Sequence, residues 1–100
     1  MYKVKFVVRH KSEGYTLGGY VRDLELPFVP IIGMQFKQGV STWLWETGKG
    51  ELAPKVEAVV YDLDEELFAC LFTVDQELNS SFWTRISMVA SELDYFHPRG

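Results

Sequence analysis

Cysteine is nearly absent from this 100-residue chain, and the lone Cys70 excludes an intramolecular disulfide framework. Its neighbours Ala69 and Leu71 mark it as a buried thiol and fit a reducing compartment. Histidine is scarce as well: His10 and His97 do not combine with Cys70 at zinc-ligand spacing, so no metal site is expected. Long hydrophobic runs are missing, the longest uncharged apolar stretch reaching about half of the ~20 residues that a membrane span requires. The first residues alternate Tyr2, Lys3, Val4, Lys5, Phe6 where a signal peptide would be continuously apolar. These absences predict a cytoplasmic protein with no membrane association.

Catalytic motifs are lacking too. Gly48-Lys49-Gly50 has neither the upstream glycine nor the following Ser/Thr of a phosphate-binding loop, and the glycines from Gly14 to Gly19 do not form G-x-G-x-x-G. No serine lies in a G-x-S-x-G elbow. A Cys70 nucleophile with His10 or His97 is opposed by the Ala, Leu and Phe around the thiol. The acidic run Asp62, Asp64, Glu65, Glu66 fails the calcium-loop test, because counting from Asp62 puts Leu67 where glycine is needed and Thr73 where glutamate is needed. The expectation is a non-enzyme with no catalytic residue, no metal and no cofactor.

What is present is apolar and aromatic material, at 47% and 15% of the chain. That amount supplies a core for one domain spanning residues 1–100, with a surplus of large side chains for a partner-covered patch. A protein partner or a homodimer is therefore expected. The net charge of −4 argues against a general polyanion binder. Its sign is split, residues 1–50 carrying seven Lys/Arg against four Asp/Glu and residues 51–100 three against ten. Such a split either steers partners or is neutralised when the two halves interdigitate.

Along the chain, Tyr2, Val4, Phe6 and Val8 alternate with Lys3, Lys5, Val7 and Arg9, the period of a half-buried strand with a basic outer face. Residues 10–19 read as a long glycine-rich hairpin loop before a second strand at Tyr20 to Leu26. Pro27 and Pro30 forbid a helix in the apolar run Leu26 to Gly33 and make it a connection. Met34 to Lys37, Val40 to Glu46 and Val56 to Leu63 follow as strands. An acidic turn leads into Leu67 to Val74, apolar at nearly every position as if covered on both faces. A helix capped by Asp64 is the alternative for this last segment, with Leu67, Cys70, Leu71, Val74 and Leu78 as its stripe. After the capping residues Asn79-Ser80-Ser81, Phe82, Ile86, Val89, Leu93 and Phe96 recur at helical spacing, which predicts a C-terminal helix over about 79–95, ending before His97-Pro98.

The stretch Leu26-Pro27-Phe28-Val29-Pro30-Ile31-Ile32-Gly33-Met34, followed by Val59-Val60-Tyr61-Asp62-Leu63-Asp64-Glu65, resembles small bacterial and phage β-barrel proteins of the SH3-like kind. The resemblance covers about half of the chain and implies a barrel without transferring any functional residue. The fold class expected is β-rich α+β: a small antiparallel SH3-like barrel of five or six strands with a C-terminal helix.

Two binding readings follow. A non-enzymatic protein-interaction or self-association module would use Trp43 and Trp45, two residues apart on one strand face. It would draw also on Phe28 and Ile31 from the proline-punctuated ridge, and on Trp83 and Met88 from the edge of the helical stripe. A nucleic-acid-binding barrel would use Lys3, Lys5, Arg9 and Lys11 with stacking aromatics. It is the lesser expectation, because lysines on an outer strand face also guard against aggregation.

Overall fold

The computed structural model describes residues 1–38, 43–79, 82–87 and 91–96, with Trp43 and Asp94 described by backbone only. Strand β1 (Tyr2–Ser12) and strand β2 (Tyr15–Leu26) form a long antiparallel hairpin. Its turn is only Glu13-Gly14, both at positive φ (52° and 85°), the geometry that matches the strand twist. The long glycine-rich loop expected over residues 10–19 is therefore replaced by strand. Gly18 and Gly19 serve a different purpose: the register shifts between His10 and Lys11, and a Cβ on Gly19 would run into the backbone carbonyl of Val8.

A small hairpin, β3 (Glu46–Thr47) with β4 (Gly50–Glu51), stands apart from the main sheet. Strands β5 (Ala58–Asp62), β6 (Leu67–Val74) and β7 (Thr84–Ile86) complete the main sheet, whose order is β5-β6-β1-β2-β7. β1 runs parallel to β6 and antiparallel to β2, so the described strands form an open mixed sheet in place of the expected closed antiparallel barrel. Alternation of side chains specifies which face is buried and says nothing of strand direction, which is why this was not legible.

The expected C-terminal helix over 79–95 is also corrected. Thr84–Ile86 pairs with the otherwise open edge of β2, Thr84 opposite Val21 and Ile86 opposite Gly19, and Ser91–Phe96 is a 3-10 turn. Unpaired β2 backbone offers hydrogen bonds here, and Trp83 goes into the core, so tertiary demands override the helical spacing. Ser80, Ser81, Met88, Val89, His97 and Pro98, on which part of that reading rested, lie outside the described residues, as does Val40. No strand forms at Met34 to Lys37 as such, and Trp43–Trp45 is a 3-10 turn. No helix among the described residues is long and apolar enough to cross a membrane.

The sheet has two covered faces. On the inner face, Val4, Phe6, Val8, Tyr20, Cys70, Phe72 and Val74 meet Leu44, Trp45, Val56, Leu78 and Trp83 from the irregular segments that cross them. Phe6 packs 5.0 Å from Phe72, Phe72 4.8 Å from Trp45, and Trp45 5.3 Å from Trp83. The indole nitrogens are satisfied, Trp45 donating to the Phe36 carbonyl and Trp83 to the Leu44 carbonyl, each at 2.8 Å. On the outer face, the Ser91–Phe96 turn packs over β1 and β5, with Leu93 buried. Val7 (0% exposed), Ala69 and Leu71 are buried on this side, which explains an apolar Val7 in the basic row and a β6 apolar on both faces.

Candidate functional site

The run from Leu26 to Gly33 is a connection, and its geometry positions one edge of the sheet. Gly33 has φ +91°, a left-handed value that glycine adopts freely, and Met34 N–H closes the turn on the Ile31 carbonyl at 3.2 Å. The turn is pinned to the chain just before β5: Gly33 N–H donates to the Val56 carbonyl at 2.8 Å, and Val56 N–H to the Met34 carbonyl at 2.9 Å. Pro30 is buried and Phe28 stacks on Phe36, while Ile31 and Ile32 (68% exposed) project outward.

Beyond Val56 the backbone of β5 has β6 on one side and, among the described residues, forms the sheet edge on the other. At the far end, the turn to β6 is organised by Asp62, whose carboxylate accepts the Asp64 N–H at 2.9 Å and the Glu65 N–H at 3.1 Å. The Glu65 N–H, with a hydrogen bond to Tyr95 and the Asp64 N–H, holds this carboxyl below its usual range. Tyr95 is pushed up to about 12, first by burial and then by that bond to Asp62. Leu63 is 83% exposed at the tip, and Tyr61 (45%) packs on Phe68, which in turn touches Tyr2. A five-residue strand edge thus lies between exposed Ile31 and Ile32 at one end and exposed Tyr61 and Leu63 at the other.

The other candidate positions separate. Trp45 and Trp83 belong to the core, since a sheet this size uses its largest side chains to fill the space above it. The side chain of Trp43 and the whole of Met88 lie outside the described residues. Phe28 and Ile31 are exposed as an interaction surface requires.

Lys3, Lys5, Arg9 and Lys11 do share one face of β1, interleaved with acids. Lys3 stands opposite Glu25, and Lys5 reaches Asp23 at 3.4 Å. Arg9 lies 3.7 Å from Glu57 and 3.3 Å from the Thr73 hydroxyl, which donates to Glu57 at 2.7 Å. Of these pairs, Arg9 with Glu57 joins the two halves of opposite charge, while the other two lie within the first half. Cys70 is buried and its thiol is pushed up to about 12 by desolvation, so it holds its proton at neutral pH. Among the described residues no group of three His, Cys, Asp or Glu converges on a metal position.

Sequence reasoning missed Tyr61 and Leu63. The available signal was an AVVYD strand with no Lys or Pro to guard it, which becomes informative only when that strand is known to be an edge. No family model, curated protein or solved structure matches the chain.

Proposed function

We propose that this chain is a non-enzymatic protein-interaction module that accepts an extended segment of a protein along the open edge of β5. The observation that carries the reading is the contrast between the sheet's two edges. β7 is three residues long and carries Arg85, which reaches Glu77 at 2.7 Å. β5 is five residues long, uncharged until Asp62, and bordered at both ends by exposed large apolar side chains. Natural edge strands are normally shortened or charged, and an unguarded one is suited to strand addition, in which backbone bonds give affinity and the flanking pockets give selectivity.

Nucleic acid is the lesser occupant, because the basic row of β1 that would hold a phosphate backbone is answered by Asp23, Glu25 and Glu57. Selection of displayed random peptides against the purified protein tests the reading. The expected binders are extended, β-branched and apolar, and lose binding when Val59→Pro, which removes an N–H that faces away from β6, blocks the edge or when Ile32→Asp and Leu63→Asp charge its ends. Binders indifferent to all three substitutions, or none at all, would overturn it.

A further inference from the structure

We infer that the segment received along β5 is the β5 of a second copy, running antiparallel about a two-fold axis through Val60; this rests on the edge-docking reading above. A closed two-fold pair must present the same strip to itself, so it must be antiparallel and self-complementary. The strip is bounded. The Gly33–Met34 backbone occupies the edge at Val56, and the chain turns away after Asp62, leaving Ala58–Asp62. Val60 is its middle residue. An axis through Val60 pairs all five residues, Ala58 with Asp62 and Val59 with Tyr61 on either side of a Val60–Val60 contact.

Neighbouring registers fare worse. An axis at Val59 sets Asp62 of one copy against Val56, whose backbone is already bonded to Gly33 and Met34. An axis at Tyr61 leaves only three residues paired. With Val60 central, Tyr61 meets Val59 of the other copy on the inner face, an aromatic with β-branched pair, and both keep the company of Phe68 and the core.

The ends also match. Leu63, in the turn just beyond the strip, is carried toward Glu57 of the other copy, beside the turn that holds Ile31 and Ile32, so an exposed apolar residue covers two others. The same approach brings the acidic turn Asp64, Glu65 and Glu66 toward the end of β5 where Lys55 stands exposed. Opposite charges therefore meet at both ends of the pair, the nearby Glu57 being engaged already by Arg9 and by the Thr73 hydroxyl. So short a ladder buries less than a standard interface, and the dimer is expected to be weak, with a Kd on the order of 10–100 µM.

Sedimentation across roughly 1–300 µM, which brackets that Kd, tests the inference. A reversible dimer is expected, weakened about ten-fold or more by Leu63→Asp, and less by Lys55→Glu, whose effect fades with salt. Because directly opposed residues in antiparallel strands lie within disulfide reach, Val60→Cys should cross-link to a covalent dimer under mild oxidation while Ala58→Cys does not. The buried Cys70 of the unsubstituted chain is the control. A strict monomer, or a dimer indifferent to Leu63→Asp and untrapped by Val60→Cys, overturns the self-pairing. Peptide binding that Val59→Pro abolishes would then still uphold edge docking, whereas its absence would remove both.

Discussion

The inner and outer faces of the sheet are built from the same strands and held by different means. The inner face stacks Phe6, Phe36, Phe72, Trp45 and Trp83 into one continuous aromatic cluster, each ring centroid within 5.3 Å of another. The outer face buries small or aliphatic residues, Val7, Ala69 and Leu71, beneath one 3-10 turn, and surrounds them with ion pairs such as Lys5 with Asp23 and Arg9 with Glu57. Burial scales with apolar area, and exposed ion pairs contribute little, so the stability of the protein should reside mainly on the inner face.

Truncating the centre of that cluster should have the largest effect. Phe72→Ala removes a fully buried ring that touches Phe6, Phe36 and Trp45, and is expected to cost about 3–5 kcal/mol in urea unfolding followed by tryptophan fluorescence. Leu93→Ala, the corresponding change on the outer face, should cost about 2 kcal/mol, the low end for leucine, because a short surface turn relaxes into the space it leaves. If the faces are independent, the double variant should equal the two losses within about 0.5 kcal/mol. A larger discrepancy would show that the C-terminal turn supports the inner cluster through the strands.

Cys70 reports on the same contrast without perturbing it. It lies on the inner face, wholly buried, with its thiol pushed up to about 12 by desolvation. At pH 8 it should react with a thiol reagent only as fast as the whole protein opens, and Phe72→Ala should accelerate that reaction far more than Leu93→Ala does. Equal acceleration would mean that the outer turn gates access to the core.

The β character of the chain was legible because its strongest signal, alternation in β1 and the apolar run of β6, follows from period two alone. Leu67–Val74 is observed with the bounds expected for it. Direction, edge status and closure were not legible, since they depend on which distant strand supplies the partner backbone. Gly19 misled for a related reason: close approach to Val8 and a loop call for the same residue type. The candidate site divides likewise. Exposure of Phe28 and Ile31 follows from a proline-bounded connection, whereas Trp45 and Trp83 are assigned to the core by a volume that only the packed sheet defines.

The smallest expected effect lies where the outer turn meets the end of β5. Tyr95 donates to Asp62, and the two titrate in opposite regions. Tyr95 is raised from 10.0 to about 12 in the folded chain, so its contribution to stability is complete below about pH 10 and is lost as pH rises toward 12. Asp62 is lowered from 3.8, so its contribution is present above that pH and is lost as pH falls through the lower folded value. Tyr95→Phe should flatten the alkaline limb of a stability–pH profile. It should leave most of the acid limb, because the Glu65 N–H is the larger influence on Asp62. Asp62→Asn should do the reverse, flattening the acid limb while burial, the larger influence on Tyr95, keeps that hydroxyl high. An alkaline limb unchanged by Tyr95→Phe would place the turn away from β5 in solution and leave the outer face without its cover.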